Sequence, residues 1–369
     1  MSNKPITLPG IPLIHQPCFL EIWDFSSYSD EINDLACTLN KDGFAVFDFP
    51  EPNFNKIVED IKNIISPKYD WEKWRSGERA DLRIQDAWSF CVQVKELAAN
   101  KKLLEILSIL YGRHAFPFQT LNFGVGTQQA AHSDHVHFNS LPEKFMCGVW
   151  IALEDIDEQN GALFYYPGSQ NWVSLSNEHF SIDPENNPRE HVYAHYPKFT
   201  DTWQTLAKYY NATPKVAKLK KGQAVIWTSN VVHGGGTIMD KTRTRWSQVT
   251  HYFFDDCVYT TPLANNAAKG KILIRDILDI STGKIVQNKF HGIPLTDEDI
   301  KNVTPKPFLL KNLDETINRF ANSSYRNHKD IPENFSAISY LKKNPDVLEA
   351  NTDPYEHYVR FGKSEKRAI

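Results

Sequence analysis

CGVWIALEDIDEQNGALFYYPGSQNW, residues 147–172, carries two short apolar runs, CGVWIAL and ALFYY, each closed by a turn-forming stretch, DEQNG and PGSQN. Runs of this length, rich in branched and aromatic residues and bounded by Gly, Asn and Pro, read as strands. The texture continues on both sides, in QTLNF (119–123), QAVIW (223–227) after a Lys-Gly turn, and TRWSQVTHYFF (244–254). Several short strands at this spacing predict a sandwich or barrel. Upstream the period changes. FNKIVEDIKNII (54–65) places Phe54, Ile57, Val58, Ile61, Ile64 and Ile65 at helical spacing, and LLEILSILYG (103–112) reads as a second helix stopped by Gly112. The expected class is mainly β with covering helices.

Downstream, ILIRDILDISTGKIVQNKF (272–290) reads as a hairpin turning at 281–284, and ANSSYRNHKDIPEN (321–334) as a linker. The last segment holds two short helix patterns, the second with Asp353 as N-cap, Pro354 at the first helical position and Gly362 past the end. The expected division is a catalytic domain over 1–265, a hairpin and linker over 266–330, and a small helical module over 331–369.

With 369 residues, 41% of them apolar and 23% charged, the chain has enough apolar material for a large core. A net charge of −4 gives no global basic footprint, which argues against a nucleic-acid partner. Prolines and a glycine interrupt the apolar residues of MSNKPITLPGIPLIHQPCFL (1–20), and no run is long enough for a membrane span. The five cysteines, Cys18, Cys37, Cys91, Cys147 and Cys257, form no CxxC pair, which argues against a disulfide framework and a thiolate zinc site. A cytoplasmic setting is expected.

In AAHSDHVHFNS (130–140), three histidines and an aspartate fall within six positions. If the stretch is a strand, His132 and Asp134 share one face while His135 and His137 take the other. A His and a carboxylate two apart reach one ion, and need a third ligand to complete the 2-His-1-carboxylate triad of non-haem Fe(II) oxygenases. NVVHGGGT (230–237) offers His233, followed by three glycines that permit close backbone approach. His132, Asp134 and His233 are therefore the candidate ligands and catalytic centre, and His135 and His137 are read as outlying hydrogen-bonded or surface groups. Three protein ligands leave room for O2 and an electron-donating co-substrate. The far carboxylate of 2-oxoglutarate needs a fixed cation, and the planar fork of arginine matches it. Arg243 and Arg245 both follow His233 on one strand face; Arg245 also heads an Arg-x-Ser pair with Ser247, a second donor. Parity does not separate the two arginines.

QTLNFGVGTQQAAHSDHVHF (119–138), the 147–172 stretch, GQAVIWTSNVVHGGGT (222–237) and DGFAVFDF (42–49) together resemble the phytanoyl-CoA dioxygenase-like Fe(II)/2-oxoglutarate oxygenases, over residues 30 to 255. The resemblance implies a double-stranded β-helix, the cupin-like jelly roll, with iron at one mouth. It places His132, Asp134 and His233 on the metal, Arg245 on 2-oxoglutarate and Trp150 near that co-substrate, with Thr120 and Asn122 as further lining. Arg243 and Arg245 bracket the family's usual spacing from the distal histidine. Retention of Asp134, a carboxylate that related halogenases replace, favours hydroxylation or another oxidative outcome. The implied reaction oxidises an aliphatic C–H of a small molecule, lipid or glycan precursor and releases succinate and CO2. YLKKNPDVLEANTDPYEHYVRFGKSEKR (340–367) is similar to a short module of bacterial glycosyltransferases and surface-glycan proteins, with Tyr340, Leu341, Val347, Tyr355, Tyr358 and Phe361 as contact residues. That likeness implies a glycan-biosynthesis partner. Two other readings are a jelly-roll sugar isomerase or epimerase with histidines as acid and base, which leaves the Arg-x-Ser pair without a purpose, and a glycan-associated binding protein with a silent barrel, which leaves the triad without one.

Overall fold

The computed structural model describes residues 6–79, 81–184, 193–305, 316–317, 319–332, 335–350 and 352–369. It divides into two compact units, Met1–Val303 and Thr304–Ile369.

In the first unit the strands are β1 Phe44–Asp48, β2 Arg83–Gln85, β3 Ala115–Phe123, β4 Asn139–Leu141, β5 Met146–Ala152, β6 Leu163–Tyr165, β7 Lys215–Val216, β8 Gln223–Thr228, β9 His233–Gly235, β10 Ser247–Phe254 and β11 Val258–Thr260. A six-stranded antiparallel sheet runs β1-β8-β5-β10-β3-β2, a three-stranded one runs β7-β6-β9, and β4 pairs with β11. Alternation along each strand gives the large sheet two different faces. Phe44, Trp150, Val225, Trp227, Val249 and Phe123 point inward and pack with Ala162 and Leu163 of the small-sheet side. Ala45, Phe47, Val149, Ile151, Ala224 and Ile226 point outward into the larger apolar cluster shared with the helices.

The covering helices are α1 Asp30–Asp42, α2 Phe54–Ile65, α3 Val92–Ala98 and α4 Lys101–Tyr111. In α2 the apolar stripe buries Phe54, Ile57, Val58, Ile61 and Ile65, each aliphatic side chain contributing ~1.5–3 kcal/mol. Ile64, placed on that stripe by its spacing, stands at its edge and is 37% exposed. For α4, the Asn100 side chain accepts from Leu103 N, and Gly112, at φ 76°, ends the helix in the left-handed region. The helix α5, Tyr196–Tyr209, buries Phe199, Trp203 and Ala207. The hairpin of Ile277–Asp279 (β12) and Lys284–Val286 (β13) belongs to this first unit.

The second unit has its own core of Tyr340, Leu341, Val347, Leu348 and Tyr358, supplied by α6 Ala337–Lys343, α7 Pro345–Glu349, α8 Pro354–His357 and the π-helical turn Tyr358–Gly362 that extends α8. The Asp353 carboxylate accepts from the amides of Tyr355 and Glu356, capping α8. Phe361, grouped with the contact residues by sequence, lies in the π turn and is half exposed. All five cysteines are free, and no helix among the described residues is long and apolar enough to cross a membrane.

Candidate active site

His132 and His233 are directly paired residues. Each backbone N–H donates to the other's carbonyl, at 2.8 and 2.9 Å, and the ring centroids stand 4.5 Å apart. Past His132 the chain leaves the sheet: Ser133 is extended and Asp134–Val136 is a 3-10 turn closed by amides of His137 and Phe138 on the Asp134 carbonyl. A strand through 132–138 is therefore not formed, since pairing with β9 stops at His132. The turn still brings Asp134 to the two histidines. Ligand atoms of His132, Asp134 and His233 lie within 4.8 Å of one another, all buried.

The two imidazoles are preset for a metal. His132 Nδ1 is 2.9 Å from the Ala130 carbonyl and His233 Nδ1 is 3.1 Å from that of Val231. A carbonyl only accepts, so Nδ1 carries the proton and the Nε2 lone pair faces the centre. Nε2 of His132 is 3.5 Å from Asp134 Oδ1, and Nε2 of His233 is 3.8 Å from Oδ2. The Gln129 amide, 3.2 Å from His132 Nε2, competes with an ion for that lone pair. Burial works against ionisation of Asp134, but the imidazoles of His233, His132 and His251 outweigh it and hold the carboxyl well below its usual range. Burial also pushes His233 down to about 4 against the pull of Asp134, so its ring is neutral, as a ligand must be. Two neutral imidazole nitrogens and a carboxylate fit a divalent iron.

Two further groups stand against Asp134. Trp227 Nε1 donates to Oδ2 at 2.8 Å, and His251 Nε2 lies 3.7 Å from the same oxygen while its Nδ1 meets Gln119 Oε1 at 3.0 Å. Neither stood out in the sequence. Strand parity reaches both, because His251 continues the face of Ser247 and Val249, and Trp227 that of Val225.

The structure separates the two arginines. Arg243 pairs with the Asp157 carboxylate through two contacts of 2.9 and 3.0 Å at the surface. Arg245 is buried, its guanidinium carbon 5.2 Å from the Trp150 ring and 5.7 Å from that of Phe123. It donates to the Gly161 carbonyl at 3.3 Å, its Nε has no partner, and no carboxylate among the described residues pairs with it. Burial lowers it to about 10, so it is charged at neutral pH. Ser247 Oγ on the same inner face is likewise buried without a partner. A buried cation and a hydroxyl with spare donors fit a carboxylate-bearing co-substrate. Thr120 and Asn122 do not join them. They pair with Thr250 and Gln248, whose face of the sheet looks toward the helices, where Gln248 donates to the Val94 carbonyl. His135 is tied to Ser133 Oγ and the Leu175 carbonyl, and His137 faces Tyr193 and Tyr196.

The sequence profile of the phytanoyl-CoA dioxygenase family (PhyH) matches residues 38–244. A probable phytanoyl-CoA dioxygenase from Caenorhabditis elegans is 23% identical over 236 residues, 58% of this chain and 67% of that one. Among solved structures, the non-heme alpha ketoglutarate dependent carbocyclase SnoK from nogalamycin biosynthesis aligns with a TM-score of 0.48 and 15% identity, over 63% of this chain and 86% of its own. EctD from S. alaskensis, solved with 2-oxoglutarate and 5-hydroxyectoine, aligns with a TM-score of 0.47 and 17% identity, over 66% and 80%. With more than half of its length inside the profile, the chain belongs to the phytanoyl-CoA dioxygenase family, a family of Fe(II)- and 2-oxoglutarate-dependent oxygenases.

Proposed function

We propose that the protein is an Fe(II)- and 2-oxoglutarate-dependent dioxygenase that hydroxylates an aliphatic C–H of a small molecule, lipid or glycan precursor and releases succinate and CO2. The observation that carries this is the closure of His132, Asp134 and His233 on one point, with both imidazole tautomers fixed. We assign the fold to the double-stranded β-helix, supported by a six-stranded and a three-stranded antiparallel sheet sharing one apolar layer. Iron held there, with 2-oxoglutarate and O2 as co-substrates, supplies an oxidant able to take hydrogen from an unactivated carbon.

The chain's own residues do the rest. Arg245 fixes the far carboxylate of 2-oxoglutarate, Ser247 donates a second hydrogen bond, and Trp150 walls the guanidinium from water, which strengthens the ion pair. Trp227 holds the Asp134 carboxylate at one orientation. For the second unit, the likeness of its sequence to glycan-associated modules is the sole support for attachment to a glycan-biosynthesis partner.

The test is succinate formation by iron-loaded protein given 2-oxoglutarate and air. Wild type is expected to form succinate slowly without its substrate, His132→Ala to form none, and Arg245→Ala to need at least ~10-fold more 2-oxoglutarate, the loss of one charge-assisted pair. Arg243→Ala, which breaks only a surface ion pair, is expected to behave as wild type. Wild type that binds neither iron nor 2-oxoglutarate overturns the reading.

A further inference from the structure

Beside the triad stands a second arginine without an acid. Arg275 is half-buried, and its Nη1 donates to the His137 carbonyl and Thr261 Oγ1, both at 3.2 Å. No carboxylate among the described residues pairs with it, and its Nε and Nη2 have no hydrogen-bond partner there. Its guanidinium carbon lies 4.8 Å from the Phe138 ring. That ring is 5.2 Å from His251, whose Nε2 is 3.7 Å from Asp134. Two rings, Phe138 and His251, thus lie between this cation and Asp134.

Two tyrosines stand against the same histidine whose carbonyl Arg275 binds. The Tyr196 ring lies 4.9 Å from His137, its hydroxyl is sealed from solvent with no partner, and it is within electrostatic reach of Asp134. Tyr193, 5.7 Å from His137, reaches both Tyr196 and Arg275 electrostatically. The Arg275 guanidinium has no counter-charge among the described residues and its free N–H groups stay open to approach, while the Tyr196 hydroxyl is buried and unpaired, which is costly. A ligand group that is anionic and accepts several hydrogen bonds would answer both the free cation and the unpaired hydroxyl. Arg245 cannot serve that group if it holds 2-oxoglutarate.

Resting on the oxygenase reading above, we infer that Arg275 and Tyr196 bind an oxyanion of the primary substrate, so the substrate class is an acid, a carboxylate or phosphate ester, whose oxidised carbon lies across Phe138 from its anionic group. The probes are octanoate, octyl phosphate and octanol, titrated calorimetrically into the full-length protein with and without Mn(II) and 2-oxoglutarate. Wild type is expected to bind one of the anionic probes at least ~10-fold more tightly than octanol, the size of one charge-assisted bond. Which anion wins identifies the source. Arg275→Gln is expected to erase that preference, Arg275→Lys to restore part of it, and neither to shift the 2-oxoglutarate Kd. Octanol binding as tightly as both anions, or a preference kept in Arg275→Gln, overturns the inference. A protein that shows the preference but binds no 2-oxoglutarate keeps the anion subsite and sinks the oxygenase reading instead.

Discussion

The bond from Trp227 Nε1 to Asp134 Oδ2 is a donor aimed at a buried carboxylate, a type worth about 1.5–3 kcal/mol. Its value at this site is orientation, because a carboxylate free to rotate spends less time facing the two imidazoles. Trp227→Phe keeps an aromatic ring in the layer and removes only the donor. Fe(II) affinity, read by anaerobic titration, is expected to fall ~10–100-fold, the usual loss when a group behind a metal ligand is removed. Unchanged affinity would show that the turn at 134–136 alone sets the carboxylate. A different residue sets a pH response. His15 Nε2 is sealed from solvent without a partner, and burial, helped by Lys144, lowers the ring from 6.5 to about 3. Between those values the unfolded chain takes up a proton that the folded one refuses, so stability falls as pH drops through the window, by up to ~1.4 kcal/mol per pH unit. Metal-free wild type should therefore lose more Tm between pH 7 and 5 than His15→Leu. Equal losses would mean that water reaches the ring.

At the scale of elements, β5 is shaped by its neighbour's indole. Gly148 pairs with Trp227 on one side and His251 on the other, and a Cβ there would overlap Cε2 and Cζ2 of Trp227. Gly148→Ala is expected to cost ~1–3 kcal/mol as an overpacked core position and to weaken Fe(II) binding alongside, because the displaced indole loses Asp134. Thermal unfolding and iron titration of one sample test both; a fall in Tm with iron affinity intact would separate the strand from the site. The same strands explain what the sequence revealed. α2 was legible because its apolar stripe follows a single period, and Arg245 shares the inner face of Ser247 because the chain stays extended ahead of β10, with the Arg245 amide bonded to the Gly124 carbonyl. Thr120 and Asn122, which the resemblance places by the co-substrate, lie on the outer face; alternation says which residues share a face but not which face looks inward, and that choice is set by the helices on the outside. His132 and Asp134 came together for a reason other than the one their spacing suggested. The strand expected there gives way to a 3-10 turn, and the meeting depends on the pairing of His132 with His233, a contact between residues far apart in sequence.

At the scale of the molecule, the apolar clusters divide as the chain does. Those of the sheets and covering helices fall within Met1–Val303, whereas Tyr340, Leu341, Val347, Leu348 and Tyr358 form a cluster of their own with Ile317, Ile331, Phe335 and Ile369. Every residue placed at the metal, the co-substrate or the proposed anion subsite lies in the first unit. A unit with its own core folds without the other, so a chain ending at Val303 is expected to keep its cooperative unfolding and to form succinate within about twofold of the full-length rate. The measurement is calorimetry together with the same uncoupled assay on the two chains. A shortened chain that melts broadly, or binds iron and makes no succinate, would assign the second unit a part in completing the fold or the site.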